Sequence, residues 1–106
     1  MTVTYRISLR ATVVGGSAER MAESVTAVAE HLDEIQQSTP AFLGFTLSSD
    51  RIERTALFNM YVDEDDPDQA LRATHAWAVT AINAAGDSTR GWATFAHPEE
   101  RERVPV

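Results

Sequence analysis

The segment THAWAV places His75 and Trp77 two residues apart, and Asn59 lies on an apolar stretch upstream. An imidazole, an indole and an amide could do chemistry together only if they met in one pocket. On a helix, however, residues two apart point about 200° away from each other. His75 and Trp77 therefore do not line one cavity, and Trp77 is expected at the core edge with Thr74 and Ala81. His31 and Glu34 share a helix face, which is the start of a metal site, but a third ligand is not evident. The run DEDDPD at 63–68 resembles a calcium loop, yet it lacks the required Gly and the closing Glu. Helix capping by Asp66 explains it. Gly15-Gly16 lacks the downstream Gly-Lys-Ser/Thr of a phosphate loop. His97 beside Pro98 reads as a strand-end residue. No Ser is placed beside a base that would activate it. The sequence thus assigns no catalytic residue, no metal ligand and no cofactor.

The elements that position these residues follow from periodicity. TVTYRISLRATV alternates strictly, with Val3, Tyr5, Ile7, Leu9, Ala11 and Val13 on one face. Thr4, Arg6, Ser8, Arg10 and Thr12 occupy the other. GGS at 15–17 breaks this strand and offers Ser17 as a helix cap. Residues 18–37 carry apolar side chains at three-four spacing, from Ala18 to Ile35. Pro40 stops that helix. AFLGFTLSS (41–49) and TALFNMYVD (55–63) read as a strand pair joined by a polar connection. Asp66, Pro67 and Gln69 open a second helix that runs to about Ala85. Gly86 suits its left-handed stop. TRGWATFAH (89–97) is a fourth strand, and residues 99–106 form a charged tail beyond a single domain at 1–98.

The order β-α-β-β-α-β predicts an α+β, ferredoxin-like fold. The expected sheet is four-stranded and antiparallel, with both helices on one face and strands 1 and 3 in the centre. The other face is left open. By alternation it carries Arg6, Ser8, Arg10, Phe42, Leu57, Asn59 and Tyr61. Apolar and aromatic residues among arginines read as an interface rather than a solvated sheet.

The length, the element order and TPAFLGFTLSS resemble the dimeric α+β barrel superfamily, which includes antibiotic-biosynthesis monooxygenase-like proteins. In that family a Pro-Gly-Phe-x-Gly-type segment opens the second strand. Here Pro40, Phe42, Leu43, Gly44 and Phe45 match it, with Ala41 where Gly is common. As layout the resemblance covers most of the chain; as sequence it covers that segment alone. It implies a homodimer that pairs open sheet faces, and a ligand pocket between sheet and helices drawing on Tyr5, Phe58, Trp77 or Trp92. Haem-degrading relatives place an Asn on the first strand, where this chain has Arg6 and Ser8, so the resemblance does not extend to haem.

Composition narrows the function classes. The chain has 106 residues, no Cys and a net charge of −7. Disulfides and Cys-based metal sites are excluded. An acidic balance opposes nucleic-acid binding, which needs a positive field. RNA-recognition modules share the strand order, but only Tyr61 offers a stacking platform on the open face. No apolar run suits a signal peptide or a membrane span, so a cytoplasmic location is expected. All nine basic residues are Arg, a bias that suggests an actinobacterial or phage source. The expectation is a small, acidic, non-catalytic protein-binding or regulatory module of host-interaction or immunity type, self-associating through its open face. The alternative is a dimeric α+β barrel protein, cofactor-independent monooxygenase-like or simply ligand-binding, for a hydrophobic aromatic small molecule.

Overall fold

Strict alternation at the N-terminus produces the longest strand. β1 spans Val3–Val13, and Ile7, Leu9, Ala11 and Val13 are buried. The computed structural model describes residues 3–13, 21–50, 52–86, 92–94 and 100–103. The expected Ser17 cap, the Gly15-Gly16 break, Phe95, His97 and Pro98 lie outside the described residues. The remaining elements are α1 (Met21–Ser38), β2 (Phe42–Asp50), β3 (Thr55–Glu64), α2 (Pro67–Ala84), β4 (Trp92–Thr94) and β5 (Glu100–Arg103).

β3 lies antiparallel to β1 over ten residue pairs, from Val3↔Glu64 to Thr12↔Thr55. β2 lies antiparallel on the other side of β3. The sheet runs β2-β3-β1, and both β4 and β5 pair with the far side of β1. The expected four-stranded sheet is thereby corrected. Three long antiparallel strands and two helices carry the α+β, ferredoxin-like fold. Beside β1, where a fourth strand at 89–97 was expected, the described residues place two strands, Trp92–Thr94 and Glu100–Arg103. Glu100–Arg103, placed in the charged tail by the sequence, pairs with Tyr5–Ser8.

Helix boundaries follow from local chemistry. α1 stops at Ser38, two residues before Pro40. Phe42 N–H then donates to the Thr39 carbonyl at 3.0 Å, and the Gln36 side chain donates from Nε2 to the Leu43 carbonyl at 3.0 Å. α2 starts at Pro67 after an extended Asp66 (φ −145°, ψ 161°). Asp66 Oδ1 accepts from Gln69 N–H at 2.9 Å, satisfying one of the orphan donors of the first turn. Gly86 follows the helix at φ +66°, a conformation cheap only for glycine.

Both helices pack on the sheet face that bears Ile7, Leu9, Phe58, Met60 and Val62. All five are fully buried, as are Val28 and Leu32 of α1 and Ala78 and Ala81 of α2. Thr74 is buried in α2 but donates to the Ala70 and Leu71 carbonyls at 2.9 and 3.1 Å, so its hydroxyl is satisfied within the helix.

Candidate functional site

No described helix lies over the opposite face of the sheet. Register fixes its contents: Arg6 faces Tyr61 across the β1–β3 pair, Ser8 faces Asn59, and Arg10 faces Leu57. From β2, Thr46 lies beside Asn59 and Ser48 beside Leu57. Ser8 Oγ donates to Asn59 Oδ1 at 2.6 Å, at a residue only 5% exposed. That burial comes from the side chains around it. The Nε atoms of both arginines are buried, so their stems lie along the sheet rather than standing in water. Arg6, Arg10, Leu57, Asn59 and Tyr61 are all half-buried. Arg6 also has Glu102 as its register partner on β5. An acidic residue type thus stands opposite this arginine within the same chain.

At the hairpin end of this face a cleft of about 240 Å³ opens between Arg10, Ser48, Ser49, Asp50, Glu53, Thr55 and Leu57. The hairpin is held by Asp50, whose Oδ1 accepts from the Ile52 and Glu53 amides at 2.9 and 3.0 Å. Arg54 closes the turn at φ +56° and accepts the Val13 amide on its carbonyl at 2.8 Å. The cleft is therefore walled by three strands and floored by a fixed turn. Sequence reasoning missed it, because Ser48, Ser49 and Thr55 read only as hairpin residues.

Phe42 is not on the bare face. It is 2% exposed, on the helix side, and its ring stacks on Trp77 with centroids 4.6 Å apart and planes 1° from parallel. The cause is a β-bulge. Phe42 pairs with Val62 and Gly44 with Tyr61, so Leu43 is an extra residue on β2. The insertion inverts the alternation that had placed Phe42 with Gly44 and Thr46. Phe42 and Phe45 now share the helix side, with centroids 6.0 Å apart.

Of the residues expected to line a pocket between sheet and helices, Phe58 is fully buried in the core. Tyr5, Trp77 and Trp92 pack against that core and are partly buried. Tyr5 pairs with Val62 at one end of β1, whereas Trp92 pairs with Val13 at the other, about 26 Å away along the strand. The structure does not bring these four side chains together. Trp92 Nε1 is buried without a hydrogen-bond partner among the described residues.

The other chemical candidates have local roles. His31 Nδ1 lies 3.6 Å from Glu34 Oε2 on the outer side of α1. Among the described residues, no three metal-ligating side chains cluster. Asn59 is engaged with Ser8, and His75 is half-buried on α2. No described helix is long and apolar enough to cross a membrane.

No protein-family model matches the chain, and no curated protein does. Among solved structures it is similar to a protein of Chloroflexus aurantiacus J-10-fl described as a "putative antibiotic biosynthesis monooxygenase". The identity is 16%, over 97% of this chain and 93% of that one, with a TM-score of 0.48. It is also similar to an uncharacterized protein of Thermotoga maritima. There the identity is 14%, over 94% of this chain and 100% of that one, with a TM-score of 0.40. The α+β fold itself is compatible with the ligand-binding reading and gives no support to the protein-regulator reading.

Proposed function

We propose that this chain is a small-molecule-binding protein that works through the bare face of its sheet, with a second copy stacking its own bare face over the first. The observation that carries this is the content of that face. Tyr61 and Leu57 lie half-buried opposite Arg6 and Arg10, on either side of a part-buried Ser8–Asn59 hydrogen bond, and a cleft opens at the hairpin end. Leu57 offers an apolar contact to the body of a compact aromatic ligand. Arg10, Ser48 and Thr55 offer polar contacts to an acidic substituent. The cleft alone is smaller than the roughly 300 Å³ at which drug-sized sites begin, so a second wall over it completes a useful site.

The test combines ligand and mass. Anilinonaphthalene sulfonate, a fluorescent aromatic anion, is expected to bind the native protein saturably. Leu57→Glu with Tyr61→Glu is expected to abolish that signal while circular dichroism stays native. Each new carboxylate faces an arginine on β1, so folding is tolerated while the apolar contact is lost. Light scattering is expected to show a lower mass for the double variant than for the wild type. Unchanged dye binding in a folded variant counts against the ligand reading, and unchanged mass counts against the stacked faces.

A further inference from the structure

The edge of the sheet at β2 points to a second contact, independent of the bare face. β2 has one partner among the described strands, β3, and its outer edge presents main-chain donors and acceptors. Soluble proteins blunt such edges with Lys, Pro, charge or a covering segment. From Phe42 to Ser49 there is no charged residue and no Pro, in a chain of net charge −7. Among the described residues the bulge at Leu43 is the one protective device, and it sits at the start of the strand. From Gly44 to Asp50 the pairing with β3 runs without a break. The core also runs out here. Phe45 and Leu47 of β2 and Ile35 of α1 pack against it yet remain only partly buried, and Leu43 is 45% exposed.

We propose that the β2 edge pairs antiparallel with β2 of a second copy, about a two-fold axis at Thr46. The register sets Thr46 opposite Thr46, Phe45 opposite Leu47, Gly44 opposite Ser48 and Leu43 opposite Ser49. From Gly44 to Ser48 every residue then meets one from the same face of the sheet, as a continuous sheet requires. The Phe45–Leu47 pairs extend the core across the junction on the helix side. Thr46, Gly44 and Ser48 meet on the bare side, so the two bare faces lie side by side. Other registers lose one of these matches. An axis at Leu47 sets Phe45 against Ser49, and an axis at Phe45 sets Leu47 against the bulge.

The strand's own sequence selects the occupant, because a second β2 sets Phe45 and Leu47 of one copy against Leu47 and Phe45 of the other. Along Phe42 to Ser49 neither copy carries a carboxylate, and the repulsion that remains comes from acidic residues off the strand, among them the exposed Glu30, Asp33 and Glu34 of α1. Asp50 ends the strand opposite Phe42 of the other copy. The two Asp50 residues are thus about 26 Å apart, well beyond the roughly 8 Å screening length at physiological salt.

The chain has no Cys, so one substitution reads the register. Opposed residues in an antiparallel pair have Cα atoms about 4.5–5.5 Å apart, within disulfide range. The measurement is made in the Leu57→Glu/Tyr61→Glu background, where bare-face stacking is removed. Thr46→Cys is expected to oxidise to a covalent dimer at least about tenfold faster than Thr26→Cys, an exposed control on α1, because pairing raises the effective thiol concentration. Equal rates overturn the proposal. By sedimentation, the background variant is expected to be a dimer, and adding Thr46→Lys to give a monomer, since two ammonium groups would oppose each other at the axis. A background variant that is already monomeric overturns the proposal. A background variant that is dimeric with the same mass as the wild type supports the edge contact and removes the stacked-face reading.

Discussion

The hydrogen bond from Ser8 to Asn59 sits where the chemistry of the bare face is decided. By alternation both residues were expected on the open sheet face, as part of an interface. In the structure the serine is only 5% exposed. Removing its acceptor strands a buried donor, and the cost of that exceeds the net worth of the bond. Asn59→Ala is therefore expected to lower the unfolding free energy by about 1–3 kcal/mol, read from urea titration. Ser8→Ala together with Asn59→Ala is expected to recover part of the loss. Strict additivity of the two single changes would show that the pair is not coupled. Trp77 makes the second residue-scale case. Its ring is stacked on a fully packed Phe42 but is itself only partly buried, so Trp77→Ala is expected to cost less than the about 3–5 kcal/mol of a fully buried Trp, with little effect on dye binding at the bare face. A loss of dye binding in a folded Trp77 variant would move the ligand to the helix side of the sheet.

Elements were legible wherever a single local rule governed them. β1 followed from period two, and α2 from the Asp66-Pro67 opening. Asp66→Ala is expected to cost about 1 kcal/mol, seen as a lower urea midpoint at unchanged slope. An unchanged midpoint would mean that the 2.9 Å contact to Gln69 contributes nothing. Elements were misread where a long-range pairing overruled the local pattern. The bulge at Leu43 arises from the fit of β2 against β3, and no turn residue announces it, so Phe42 was assigned to the wrong face. ERER at 100–103 is charged throughout and has no apolar alternation to mark a strand. Only its pairing with Tyr5–Ser8 makes it one. The bare face itself was readable from β1 and β3, because an unbroken register keeps parity from end to end. The cleft was not, since its walls come from three strands whose ends converge only in the folded chain.

At the scale of the whole molecule, net charge and edge composition act against each other. Every copy carries −7, while the β2 edge from Phe42 to Ser49 carries no charge at all. Bringing two copies together by that edge involves no ion pair that salt would weaken. It does involve repulsion between two acidic bodies measuring 45 × 25 × 19 Å. At about 0.01 M salt the screening length is about 30 Å, comparable to the molecule, and at about 0.15 M it is about 8 Å. The repulsion is therefore felt across the whole pair at low salt and only between near neighbours at high salt. The edge dimer of the bare-face variant is expected to tighten several-fold as salt rises over that range, measured by sedimentation at a series of protein concentrations. Contacts made by arginine–carboxylate pairs respond in the opposite direction, because screening removes their attraction. A dimer that loosens with salt would place the junction on a charged surface and not along β2.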